Sequence, residues 1–191
     1  MTDGGALTLA ALGGTGLGVL GYAGALGVAL VFFQAAIPKF QHRDLLAGVV
    51  ANYRLLPAGL VGPVARMLPL AEMGAAVSLL LIHHGLGAAP AFALLLVFAA
   101  AMAINLMRGR SQIDCGCGRS QLRQPLSWLL VARNLVLAAL LLPRLVQPQF
   151  RLNSITDLAI AMAGGLAVFV IVQLFNAIGA LAATPLAASR R

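Results

Sequence analysis

The chain is poor in charge: only 9% of its 191 residues are charged, and just five are acidic. A soluble domain typically carries about 25% charged residues. Aromatics are also few, at 6%, with one tryptophan, and there are only two cysteines. Two cysteines exclude a small secreted scaffold held together by several bridges. The shortage of polar side chains excludes a water-soluble globule, because such a chain could not cover its own surface. What fills the sequence is apolar: 61% hydrophobic residues and a mean hydropathy of +0.95. A chain of this kind takes the lipid bilayer as its solvent. At roughly 20 residues per crossing, its length allows about five transmembrane helices and little else. The expected fold is an all-α, polytopic integral membrane helix bundle, since a backbone in lipid must satisfy its hydrogen bonds within helices or closed barrels.

The net charge of +8 does not point to nucleic acid, because the basic residues are scattered between apolar blocks and do not gather on one face. Basic residues beside membrane spans are the usual topogenic signal. Met1 to Gly16 contains Asp3 and no Lys or Arg, so it lacks the positive n-region of a cleaved signal peptide.

Five apolar stretches follow one another. Residues 1–15 read as an N-terminal tail. The first span runs from Gly16 to Ile37 and is rich in glycine, including Gly18, Gly21, Gly24 and Gly27. Small residues let helices approach closely in lipid. Pro38 and Lys39 are expected to end it. In the connector 39–57, Phe40, Leu45, Val49 and Tyr53 recur at near-helical spacing opposite polar residues, which predicts a short amphipathic helix at the membrane interface. The second span runs from Leu60 to Ile82, the third from Pro90 to Met107, and the fourth from Leu126 to Pro143. The segment 108–125 between the third and fourth holds both cysteines. Residues 16–145 thus form a four-helix core. Residues 146–191 add a fifth span, Ile155 to Leu181, and a basic tail; Asn153 or Ser154 could cap its helix.

The most informative segment is Ile113-Asp114-Cys115-Gly116-Cys117-Gly118. A disulfide closed over one intervening residue is a small, strained ring, and strain makes a bridge easy to reduce. Arg108, Arg110, Arg119 and Arg123 flank the pair and outnumber Asp114. Positive charge favours the thiolate, which is the nucleophile of disulfide exchange. Two other readings stay open. A structural bridge here would close too short a loop to stabilise much. A zinc site would need ligands beyond two sulfurs, from His42, His83 or His84 or from a partner. No metal site is assigned.

Ionisable groups within the apolar stretches are costly and usually face a partner or a cavity. Glu72 is such a group, with Lys39 favoured over Arg133 as its partner. Arg133 and Asn134 lie one to two turns into the fourth span. Arg133 can reach the interface beside Trp128 or cover the cysteine segment. His83 and His84 read as a solvated turn with Gly85.

These residues form an ordered series: Ala36 to Phe40 (AAIPKF), Tyr53 to Pro57 (YRLLP), Leu68-Pro69 followed by Glu72, Asn105 to Arg110 (NLMRGR), Ile113 to Gly118, Leu126-Ser127-Trp128, and Val131 to Asn134 (VARN). The series resembles MauE, the methylamine utilisation membrane protein family, within the broader DoxX-like group of redox-associated membrane proteins. The match covers about residues 28 to 142, and the fifth span carries no matching motif. The resemblance implies a role in maturing the small subunit of periplasmic methylamine dehydrogenase, together with a thioredoxin-like MauD partner, at the bacterial inner membrane. Carried onto this chain, it makes Cys115 and Cys117 the redox pair of a thiol–disulfide oxidoreductase, with Asp114, Arg108, Arg110, Trp128, Arg133 and Asn134 in support. A single pair passes electrons to one partner at a time. A thioredoxin fold, a quinone, or both must therefore complete the cycle.

Charge and resemblance disagree about sidedness. With five crossings, Lys39, Arg43, Arg54, Arg108, Arg110, Arg119, Arg123, Arg190 and Arg191 share one side, and Arg144 and Arg151 the other. The positive-inside rule then puts the cysteines in the cytoplasm, whereas the resemblance puts them in the periplasm. Two alternatives to redox exchange are a non-catalytic membrane anchor for a redox partner and a small transporter lined by Glu72, Arg133 and Asn105. No inverted repeat supports the transporter.

Overall fold

Each apolar stretch of the sequence becomes one long helix in the computed structural model, which describes residues 3–82, 85–113, 125–147, 149, 151–152 and 154–182. Helix α1 spans Asp3–Gln41, α2 Arg43–Asn52 and α3 Ala58–Leu81; a 3₁₀ turn at Gly85–Ala88 leads into α4, Ala89–Met107. Helix α5 spans Trp128–Val146 and α6 Ile155–Ala182. Five of these are long and apolar enough to cross a membrane, and α2 is the short helix after the first. No strand occurs among the described residues.

The helix ends depart from the expected ones where proline is concerned. Helix α1 begins at Asp3, inside the segment read as a tail, and passes through Pro38 to Gln41. Helix α5 likewise continues past Pro143 to Val146. In both cases the proline lies close to the C-terminal end, where only the last turns are disturbed. Ser154 caps α6: its Oγ accepts a hydrogen bond from the Thr156 amide at 3.2 Å, and Asp157 in the first turn complements the helix dipole.

Helix α1 is the hub. In its most apolar stretch 56% of the residues are buried, against 17% for α6. Ala25, Val28, Ala29 and Phe32 meet Ala75, Ala76 and Leu79 of α3, Ala91 and Leu95 of α4, and Leu137, Ala138 and Leu141 of α5. The glycines of α1 explain how so many helices reach it. A Cβ at Gly24 would stand 2.4 Å from the Leu140 carbonyl oxygen, so α5 can close on α1 only over a bare backbone. At Gly27 the same atom would meet Val168 at 2.7 Å, and opposite it one at Gly165 would meet Leu26 at 2.7 Å. Close van der Waals contact of this kind drives helix association in lipid, where no hydrophobic effect operates between spans. The outward faces, such as Val97, Val136, Ile171 and Leu174, stay exposed and apolar, as lipid-facing surface must.

The helices alternate in direction. The 42–57 connector, residues 108–113 and 125–127, and the C-terminal end of α6 therefore share one end of the bundle. The turn before α4 and the connection between α5 and α6 share the other.

Candidate functional site

The cysteine-bearing connection starts from a built helix end. Gly109, at φ 72°, occupies the left-handed region that L residues avoid. The Arg110 amide then donates back to the Asn105 carbonyl at 2.9 Å, and the Gly109 amide to the Leu106 carbonyl at 2.9 Å. This is a Schellman stop, which satisfies carbonyls that α4 would otherwise leave open. It also turns Arg110 back over the last turn. The guanidinium Nη1 donates to Asn105 Oδ1 at 3.1 Å and to the Tyr53 carbonyl at 3.4 Å. Arg108 adds a longer contact, 3.5 Å, to the Arg54 carbonyl. Arg54 itself has φ 48°, which carries the chain out of α2 at this corner.

The connection closes on itself three residues later. The Leu126 amide donates to the Ile113 carbonyl at 3.1 Å. Leu126 is buried with Met102, Leu130 and Val131, and Ile113 and Tyr53 pack on the same cluster. Ile113 and Leu126 therefore form a neck seated on α2, α4 and α5. Asp114, Cys115 and Cys117 belong to the segment hung from that neck and lie outside the described residues. So do Arg119, Arg123, His83 and His84.

Deeper in the bundle, Lys39 Nζ donates to Glu72 Oε1. Lys39 stands in the last turn of α1 and its side chain is buried, as is that of Glu72. Glu72 lies nine residues before Leu81, about 14 Å along the axis, well inside α3. The ammonium also sits 5.7 Å from the Phe98 ring centre, in the middle of α4. An ion pair is what a buried carboxylate requires in such surroundings.

Arg133 lies in α5, and the expected position over the cysteine segment falls outside the described residues. Its Nη1 donates to Asn176 Oδ1 of α6. Arg133 therefore joins the fourth and fifth spans, and its Nε finds no partner. Asn134, one position on, is buried, and its Nδ2 also lacks a partner. Trp128 opens α5 and is exposed.

Four participants were missed from sequence. Asn176 carried a signal, an amide inside an apolar span, but nothing on α6 drew attention to it. The carbonyls of Tyr53 and Arg54 could not be foreseen, because backbone acceptors have no sequence signature. Arg144 reads as a loop residue next to Pro143, yet it lies inside α5, is buried, and stacks 3.9 Å from the Tyr22 ring centre. Its Nη2 donates to the Ile82 carbonyl at 3.4 Å.

Fold and site together define a class: a multi-pass α-helical membrane protein with a two-cysteine segment hung between its third and fourth spans. Comparison with known proteins narrows the class. The family model described as Methylamine utilisation protein MauE matches residues 17–147. The chain is 54% identical over 116 residues to the Methylamine utilization protein MauE of Paracoccus denitrificans, covering 60% of this chain and 62% of the relative. It is 46% identical over 110 residues to that of Methylorubrum extorquens, covering 57% and 59%. With that of Paracoccus versutus it shares 40% identity over 158 residues, covering 82% and 85%. The chain belongs to the MauE family. The alignments with the first two relatives span about three fifths of those relatives' own length. No solved structure matches the chain. The family match ends at residue 147, before α6. Arg133 thus lies within the matched region, and its partner Asn176 beyond it.

Proposed function

We propose that this protein is a thiol–disulfide exchange component of the bacterial inner membrane. It assists the maturation of an exported protein together with a thioredoxin-like partner. By its family, the client is the small subunit of methylamine dehydrogenase and the context is methylamine utilisation. One observation carries the reading. The chain's only cysteines, Cys115 and Cys117, lie in sequence between Ile113 and Leu126, which are joined by a hydrogen bond, and follow directly on the Arg108–Arg110 corner. The exchange balances within the two proteins. A thiolate of one dithiol attacks the disulfide of the other, and its sulfur–sulfur bond breaks as a mixed disulfide forms. The second thiolate of the attacking dithiol then attacks the first sulfur and displaces the partner's thiolate, which closes the new disulfide. Two electrons and two protons pass from one pair to the other, so each cycle begins with whichever pair is oxidised. A periplasmic position for the cysteines suits this role, because disulfides persist there.

Single replacements test the reading. Cys117→Ser leaves Cys115 to hold a partner as a stable mixed disulfide, and Cys115→Ser leaves Cys117 to do so. Each variant is purified under non-reducing conditions and any adduct identified by mass spectrometry. An adduct with a thioredoxin-fold protein is the expected result. If neither variant yields one, and the double replacement still supports maturation, exchange is ruled out and the anchor reading takes its place. Labelling intact cells with a membrane-impermeant maleimide settles the side: modification of Cys115 or Cys117 without lysis is expected.

A further inference from the structure

The four arginines around the cysteines look equivalent in the sequence, each a positive charge near two thiols. The structure describes two of them, Arg108 and Arg110. Arg110 is half-buried, and its Nη1 is shared between Asn105 Oδ1 and the Tyr53 carbonyl at 3.1 and 3.4 Å. Both acceptors are held. Asn105 has 0% exposure, and its Nδ2 donates to the Ala101 carbonyl at 3.1 Å, so its oxygen is presented towards Arg110. The Tyr53 carbonyl closes α2, where unpaired carbonyls concentrate negative partial charge. The backbone of Arg110 is fixed as well, by the Schellman stop at Gly109. Three residues further on, Ile113 enters the neck and packs on the same buried cluster as Tyr53, the residue whose carbonyl Arg110 holds. The guanidinium is therefore a clasp between the end of α4 and the end of α2, and the neck rests on both.

We propose that Arg110 is a positioning residue. It fixes the place from which the cysteine segment departs, with Asn105 and the Tyr53 carbonyl as its partners, and does not set the acidity of the thiols. The inference rests on the thiol–disulfide reading above. Its bonds to a helix C-terminus and a buried amide hold the guanidinium in place. A planar fork across two oxygens also differs from a point charge, so lysine is no substitute at this position.

The test is made in whichever single-cysteine background traps the partner, with Arg110→Lys, Arg110→Gln and Asn105→Ala. Two quantities are read on the purified, folded protein: the pH midpoint of thiol alkylation, and the yield of mixed disulfide with the thioredoxin-like partner. Positioning leaves the midpoint where it is in all three variants and lowers the trapping yield about 10-fold in each, the scale on which misplaced reacting groups lose rate. Asn105→Ala keeps the guanidinium and removes only an acceptor, so its loss reports the clasp and not the charge. A midpoint that rises in Arg110→Gln and returns in Arg110→Lys would make Arg110 an activator and overturn the proposal. Undiminished trapping in all three would also overturn it. If the parent background traps nothing, the exchange reading fails first, and the result is distinguishable from failure of the clasp alone.

Discussion

At both ends of the bundle an arginine donates to the carbonyl that closes a helix. Near the cysteines, Arg110 holds the last turn of α2 through the Tyr53 carbonyl. At the opposite end, Arg144 holds the last turn of α3 through the Ile82 carbonyl. The surroundings differ. Arg144 is buried against the face of Tyr22, with Gly21 allowing its stem to lie flat on α1. Arg110 is half-buried, is bonded to a buried amide, and stands three residues from a neck that carries two thiols. The contrast teaches that a guanidinium on a helix end is general glue in this fold. Function attaches to it only where a reactive segment is tied to the same corner.

The largest effect that sharpens this contrast comes from the buried pair. Removing one partner of a buried ion pair costs about 3–5 kcal/mol, because the other charge is left uncompensated. Glu72→Gln and Lys39→Met are each expected to reduce folded protein in membranes severely, measured by detergent extraction and size-exclusion yield. The double Lys39→Met/Glu72→Met variant should recover most of the loss. Wild-type levels in Glu72→Gln would make the pair a passive feature of the bundle.

Arg144→Ala comes next. It removes a desolvated cation–π contact, worth about 2 kcal/mol, together with one bond to the end of α3. The expected outcome is a lower thermal midpoint in detergent, with partner trapping by the cysteines unchanged in the folded fraction. A loss of trapping at an unchanged midpoint would break the distinction between the two ends.

The smallest effect belongs to Asn176→Ala, which takes from Arg133 its bond across to α6. Hydrogen bonds between spans contribute about 0.6 to 2 kcal/mol. A modest fall in thermal midpoint is expected, because α6 is held mainly by the glycine contact with α1. Release of α6, read as new protease sensitivity between α5 and α6, would show that Arg133 is the principal attachment.

Particular residues show how far the sequence could be read. The five spans followed from run length alone; their helix ends moved at the start of α1, which begins at Asp3, and where Pro38 and Pro143 proved compatible with a last turn. Glu72 announced itself, since a carboxylate in an apolar run needs a cation. The choice between Lys39 and Arg133 turned on which helix lies along α3. Helix α1 does, and Arg133 instead turns to α6. The four arginines near the cysteines were visible as a cluster. The partners of Arg110 were not, because it answers to a backbone carbonyl more than fifty positions away.

Composition and the length of apolar runs suffice to assign lipid as solvent, helix as the only available structure, and glycine as the contact residue of the first span. These are local properties that add up along the chain, and any docking of the helices leaves them intact. Partnership is of another kind. Lys39 with Glu72, Arg110 with Asn105 and Tyr53, Arg133 with Asn176, and Arg144 on Tyr22 each depend on distances of a few ångström between separate helices. Hydrogen bonds and ion pairs are lost within such distances, so they are assigned by packing. Here packing is set where Gly24 and Gly27 let α5 and α6 close on α1.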